Sequence, residues 1–406
     1  MRPLLCLFLA ICCTACGPSN VKLQLTISEG FIGPVQLDLP ADYEAGSVYA
    51  LGVSGSEEVI PAQADQTGQL WFFPVKKADG SYVSQYELSP KQFSPPQQHR
   101  LTIESGQLHI HHQEQEILTY HIKEAEPPLG EPDYYRRSGF IHPIFTPDSS
   151  RLSEGFPEGH VHQHGLFMAW TKTDYKGLFH DFWNQQKELG RIYHDAMLDT
   201  LSGPVLAQFR SRLLHQSMLP EAGSDIVLSE EWTVTTFHHD DVFFIDLWSE
   251  QLCVSDSPLH LLKHIYGGLG FRANSQWMDH HLPADSLPNL QGAGQGGFLT
   301  SEGKTRLDGN HSQPEWVCMY GQIDGRPAGI LAMGHPDNFR APQSARLHPS
   351  MPYFSLSPIV EESFSMEPEG TYHSRFRFIC FDGVPDHEKL QNYWQSYANP
   401  PKISLH

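Results

Sequence analysis

Long hydrophobic runs are missing from this sequence beyond its first fifteen residues. No later stretch approaches the ~18 apolar residues that a membrane-crossing helix needs. Basic charge is also scarce: 27 Lys and Arg stand against 47 Asp and Glu, a formal net charge of -20. The acids are spread along the chain. That balance excludes nucleic acid as a partner, because phosphate binding needs a basic face. It still leaves room for acidic sugars held by local arginines. Cysteine is scarce too. Four of the seven (Cys6, Cys12, Cys13, Cys16) fall within the first sixteen residues. The remaining Cys253, Cys318 and Cys380 are widely spaced, carry no zinc-type CxxC and allow at most one disulfide. Buried free thiols are expected of them. Helical periodicity is rare and no βαβ spacing occurs. There is no Gly-x-Ser-x-Gly elbow and no HExxH. The glycine-rich 291–297 stretch lacks the Lys-Ser/Thr of a phosphate loop and reads as a flexible loop, a candidate lid.

The first twenty residues have a clear organisation. One positive charge at Arg2 precedes an uncharged apolar run over 4–15, the length of a signal-peptide core. Small residues then lead to Cys16-Gly17. This resembles a bacterial lipobox, in which the cysteine is lipidated and becomes the new N-terminus. Cys13 departs from the leucine usual at its position, so secretion with cleavage after Ala15 and no lipid is the rival reading. The expected organisation is a signal peptide over 1–15 and a lipidated tether over 16–20. The expected location is the cell envelope: anchored through Cys16 as a periplasm-facing or outer-membrane lipoprotein, or else soluble in the periplasm.

About 390 residues follow the leader, and their pattern is β. Residues 21–125 alternate apolar and polar in short runs such as Val21-Lys22-Leu23-Gln24-Leu25, the period of half-buried strands. They are expected to form a small N-terminal β-sandwich-like domain. The Pro-rich 126–133 is the expected linker. Residues 134–398 read as a large antiparallel sandwich with few helices, followed by a tail over 399–406. Strands are expected at 165–170, 226–236, 242–249, 316–320, 328–333 and 371–381. In the last of these, Tyr372, Ser374, Phe376 and Phe378 share one face, while His373, Arg375 and Arg377 share the other. A helix is expected at 386–398, with Leu390, Tyr393, Trp394 and Tyr397 on one stripe.

Histidine is the outlier, at 24 in 406 residues, and it clusters. The densest segment is Glu158-Gly159-His160-Val161-His162-Gln163-His164-Gly165. If it is extended, His160, His162 and His164 point the same way. Three imidazoles in register can hold a divalent transition metal with one open position. They can equally exchange protons near neutral pH. No other cofactor signature stands out. A second cluster holds His335, Asn338, Arg340, His348 and Tyr353. His335 and His348 join the catalytic candidates, and Asn338, Arg340 and Tyr353 suit the holding of hydroxyls and carboxylates. Arg272 ends a glycine-rich stretch, His142 can join the first cluster, and Trp170 and Trp183 can stack on a sugar ring. Each of these also has a plain structural reading as a core or loop residue.

Several blocks together resemble one family: the run from Ser138 to Trp170, HDFWN from His180, IYGGLGFR from Ile265, and the run from Ala328 to Phe354 are similar to the DUF6807 family over about 134–385. That family sometimes carries a methane-oxygenase label, which implies an integral membrane protein and does not suit this chain. The closing segment from Phe364 to Gly383 resembles the last strands of galactose-mutarotase-like supersandwiches. The expected fold is therefore all-β, a small N-terminal domain plus a galactose-mutarotase-like supersandwich. The resemblance implies a carbohydrate substrate or ligand. The leading expectation is a glycan-processing enzyme of hydrolase, lyase or epimerase type. The alternatives are a non-catalytic carbohydrate-binding lipoprotein and a metal-dependent enzyme with a three-histidine site.

Overall fold

The computed structural model describes residues 19–278 and 296–406. Cys16, the leader and most of the glycine-rich 291–297 stretch lie outside the described residues. The described chain is all-β, with strands paired into four antiparallel sheets. Two eight-stranded sheets stack face to face, the layout that a supersandwich implies. The front sheet runs Ser344–Leu347, Tyr353–Ser357, Gly268–Arg272, Leu166–Ala169, Ile141–Ile144, Gln115–His121, Gln107–His112, His99–Glu104. The back sheet has longer strands: Gly190–Leu201, Ala207–Ser217, Ile226–His239, Val242–Cys253, Thr371–Asp382, Arg326–Gly334, Trp316–Ile323, Gly297–Thr300. Between them lies the main core, including Leu166, Phe271, Phe354, Trp232, Leu247 and Phe378. Period-2 alternation sorts the side chains. In Thr371–Asp382, Tyr372, Ser374, Phe376 and Phe378 are buried while His373 and Arg375 are exposed.

The N-terminal unit is a seven-stranded sheet in which the first strand, Val21–Thr26, lies between Gln85–Gln92 and the last strand, Lys402–Leu405. The expected boundaries shift as a result. Residues 399–406 are no free tail, since Leu405 pairs with Leu23. The three strands over 99–121 join the front sheet, where Tyr120 pairs with Ile141. The Pro-rich 126–133 is consequently a loop between two paired strands, not a link between domains. Alternation reports that a segment is a strand, but its sheet depends on remote partners. The N-terminal sheet is fused to the back sheet. Gln63 accepts from the amides of Val205 and Leu206 at 3.0 and 3.1 Å, and Trp71 packs on Phe237 within a shared apolar cluster.

One α-helix is described, His387–Ala398. The Asp386 carboxylate caps it by accepting from the amides of Glu388 and Lys389. Its Leu390 and Tyr393 lie on the outer face of the back sheet. None of the described helices is long and apolar enough to cross a membrane. Cys253, Cys318 and Cys380 are free and buried, and burial pushes the Cys318 and Cys380 thiols well above their ordinary pKa.

Candidate functional site

Strand register assembles the site. Arg272 ends one front-sheet strand and pairs directly with Tyr353, which begins the next. Cross-strand partners share a face, so these two side chains project together. His348 lies just past Leu347 in the neighbouring strand, and its amide donates to the Tyr353 carbonyl at 3.0 Å. On the other side, Leu166 pairs with Phe271, which brings the histidine segment before it to the same end of the sheet. Three segments far apart in sequence, the histidine turn, the strand ending at Arg272 and the hairpin carrying His348 and Tyr353, thus meet at one end of adjacent antiparallel strands.

The histidine segment is a turn and not a strand. His160 donates its amide to Pro157 and Gln163 donates to His160, at 3.0 and 2.9 Å. Gly159 sits at φ +73°, where a side chain is strained. The turn separates the three imidazoles. His160 and His162 remain near one another, with ring centroids 5.8 Å apart. The His348 ring lies 6.3 Å from that of His160 and 6.3 Å from that of Tyr353. His164 turns inward, fully buried, with Nε2 and the Gln185 Oε1 sharing a 2.8 Å hydrogen bond and Phe140 and Phe156 against its ring. The expected three-histidine metal site therefore does not assemble on these residues. Among the described residues no group of three His, Cys, Asp or Glu side chains is placed to share a metal ion.

Charge in the cluster is positive. The Arg272 guanidinium is buried and donates to Gln163 Oε1 at 3.1 Å, leaving Nε without a partner. Burial lowers its pKa to about 10. Arg346, which is not among the candidates named from the sequence, donates to Asn310 Oδ1 at 3.0 Å and interacts electrostatically with Tyr353 and Tyr266. Burial, with help from these cations, keeps the imidazoles neutral. It pushes His348 down to about 3, with Arg346, His160 and Arg272 adding to the effect. His162 is lowered to about 4 by burial and then by His160. His160 is lowered by burial and by Arg272. In His348, Nδ1 accepts from the amides of Ser350 and Met351 at 3.2 and 3.0 Å. The ring proton must then sit on Nε2, making that nitrogen a donor. The Tyr353 hydroxyl is buried without a hydrogen-bond partner, and burial raises its pKa.

The other candidates take structural roles or lie elsewhere. Trp170 is fully buried and donates to Gln251 at 2.6 Å. Trp183 is 1% exposed and packs against Phe167, Tyr266 and Tyr353, so neither indole presents a face to a sugar. The Trp183 loop is pinned by the buried Asp181, which accepts from the amides of Trp183 and Asn184 and from Lys187. His142 hydrogen-bonds Ser153 and neighbours Arg151 and His121, one strand over from Gly165 at the end of the histidine segment. The Asn338 side-chain amide donates to the Arg375 carbonyl and accepts from the Arg375 amide, and Arg340 donates to the carbonyls of Pro358 and Ser363. Both hold their loop. His335 stands over Tyr397 on the far side of the sandwich.

Residues 107–395 match the profile of DUF6807, a family of unknown function. The chain belongs to this family. All six residues of the cluster (His160, His162, Arg272, Arg346, His348 and Tyr353) fall inside the DUF6807 region. No curated protein matches the chain significantly. Among solved structures, heparan sulfate lyase HepC from Pedobacter heparinus is similar at 8% identity and a TM-score of 0.28, over 69% of this chain and 34% of that one. GH36 alpha-galactosidase AgaB from Geobacillus stearothermophilus is similar at 11% identity and 0.29, over 70% and 41%. The Slr1438 protein from Synechocystis sp. PCC 6803 gives 12% and 0.29, over 71% and 93%. The chain thus spans less than half the length of the lyase and the galactosidase. Likenesses at this level carry no activity over to the DUF6807 chain.

Proposed function

We propose that this DUF6807 protein is an envelope enzyme acting on carbohydrate by proton transfer at a sugar carbon beside a carboxylate or carbonyl, as a lyase or an epimerase. The carrying observation is the convergence of Arg272 and Arg346 with three neutral imidazoles and the unpartnered Tyr353 hydroxyl. Hydrolysis by the usual route needs two carboxyl groups flanking the scissile bond. Among the described residues near the cluster, Asp181 and Glu154 are already held, by the loop amides with Lys187 and by Arg151, which leaves exposed Glu158 of the turn without a second free carboxylate among the three. The arginines would hold the substrate carboxylate and stabilise the enolate that forms when the carbon loses its proton. His160, neutral and without a side-chain hydrogen bond among the described residues, would accept that proton. The His348 Nε2–H would donate a hydrogen bond to the enolate oxygen. In a lyase the C–O bond at the β-carbon would then break and His160 would return its proton to the departing oxygen; in an epimerase the carbon would take a proton from solvent on its other face.

Oligosaccharides containing uronates should incorporate solvent deuterium at the acidic carbon or yield an unsaturated product. His348→Ala should lower that rate about a hundredfold, the usual scale for losing a positioned proton donor, with an unchanged melting temperature. Turnover that survives both His160→Ala and His348→Ala, or hydrolytic products without deuterium, would refute the reading.

The same proposal places the protein in the envelope through lipidated Cys16. Acyl chains contribute roughly 0.8 kcal/mol per buried CH₂. Cys16→Ser should therefore move the protein from the membrane to the periplasmic fraction. A wild-type protein already found free in the periplasm would leave cleavage after Ala15 as the processing event.

A further inference from the structure

The outer face of the back sheet carries a second cleft, on the opposite side of the sandwich from the histidine cluster. It has a volume of about 490 Å³, within the usual range of small-molecule sites. Its floor is formed by outward-facing residues of the long strands, among them Thr233, Thr235, Asp246, Trp248 and Arg375. Its opposite wall is the edge of the N-terminal sheet, with Gln36 and Gln69. We propose that this cleft binds an uncharged stretch of oligosaccharide.

The charges in the cleft are nearly balanced and mostly spoken for. Arg210 bridges Asp199 and Glu231 at 3.0 Å each. Arg377 binds Asp246 through two hydrogen bonds of 2.6 and 2.7 Å. Asp65 is filled by Thr67, Gln69, Trp71 and Gln208. The lining holds three arginines and four carboxylates, so it offers an anion no net attraction. An anion would also have to displace carboxylates from guanidiniums already paired. Hydroxyl groups face no such barrier. They can donate to the outer lone pairs of fixed carboxylates and accept from fixed N–H groups, with the geometry preorganised by the ion pairs.

Two further features suit a sugar. The Gln208 side chain is 1% exposed and donates to Asp65 and Thr235, yet its Oε1 has no partner. Gln208 lines the cleft, and a hydroxyl donor that reached its buried acceptor would satisfy it. Trp248 is 38% exposed, with the Arg375 guanidinium 4.6 Å from its ring centroid. Among the described residues that guanidinium has no ion pair. The indole and the guanidinium lying over it put apolar ring surface beside N–H donors, a combination suited to the C–H face and hydroxyl rim of a pyranose.

The test uses the full processed protein against gluco-, manno-, galacto- and xylo-hexasaccharides, with oligogalacturonate as the charged control, by calorimetry or glycan array. At least one neutral probe should bind saturably. Trp248→Ala and Thr233→Trp should each weaken it by roughly tenfold or more, and His348→Ala should leave it within about twofold. Trp248 and Arg375 are surface residues, so Trp248→Ala and Arg375→Ala carry the test if Thr233→Trp fails to fold. The proposal is overturned if no neutral probe binds, if only oligogalacturonate binds, or if the surface variants bind as the wild type does. Neutral binding that disappears in His348→Ala but persists in Trp248→Ala would assign the ligand to the histidine cluster instead. Loss of uronate turnover in His348→Ala with neutral binding intact would support both sites separately.

Discussion

Lowering the pH from 7 to 5 should destabilise this protein by several kcal/mol, well before its carboxylates protonate. The cause is a set of histidines that the fold keeps neutral. Burial, with His112 and His238 alongside, pushes His99 down to about 3. His164 is held well below its ordinary value by burial and by Arg137. Burial also takes His142 to about 3 and His112 to about 4, and His162 and His348 follow the same direction. In the unfolded chain each returns to the usual value near 6.5. Above that pH both states are neutral and the full stability is present. Below it only the unfolded chain binds the protons, so stability falls as pH falls. His99 and His164, the two least exposed of these six, supply a slope of roughly 3 kcal/mol per pH unit by themselves. A typical domain has only about 5–15 kcal/mol to lose. Urea midpoints measured between pH 7.5 and 5 should drop steeply below pH 6.5; a flat profile across that range would refute the account.

Glu230→Ala should cost about 3–5 kcal/mol, the scale for removing one partner from a buried charged network. Glu230 is completely buried in the core between the two large sheets. Burial alone would raise its pKa, but hydrogen bonds from His215, Ser249 and Trp232 outweigh that and hold the carboxyl below its ordinary value. His215 Nε2 lies 2.7 Å from one oxygen; Trp232, Ser249 and Gln251 converge on the other at 2.7, 2.6 and 3.1 Å. Gln251 in turn accepts from Trp170. Alanine would strand all of these donors out of reach of water, each a costly loss. Chemical denaturation should show the loss, with Glu230→Gln intermediate because its amide keeps one acceptor. A Glu230→Ala protein within about 1 kcal/mol of the wild type would show that the network is not the keystone the geometry makes it.

Much of the architecture was legible in the amino-acid order. The alternation across 371–381 named the right buried face, and Asp386 marked the start of the single helix described. What alternation does not carry is partnership. Arg272 meets Tyr353 only because Gly268–Arg272 pairs with Tyr353–Ser357 in one register, and a one-residue slip would put the two side chains on opposite faces. The histidine segment misled for a local reason. Its spacing of two fits a strand, but Pro157-Glu158-Gly159 immediately before it is turn chemistry, and the turn sends His164 into the core. Trp170 and Trp183 show another limit: an indole looks the same in sequence whether a sheet or solvent covers it. Arg346 was within reach, two residues before His348 on the same strand exit, though only the fold shows it lying with Tyr353 and Tyr266.

The pairing of the first and last strands has a mechanical consequence. Val21–Thr26 is held on one side by Gln85–Gln92 and on the other by Lys402–Leu405, both antiparallel to it, and Lys22 exchanges two backbone hydrogen bonds with His406. A pull on the chain ahead of this strand acts along its axis. It would load both ladders in shear, so that many bonds must fail together instead of opening one at a time. A protein tugged by a moving polymer while fixed at that end would resist as a unit.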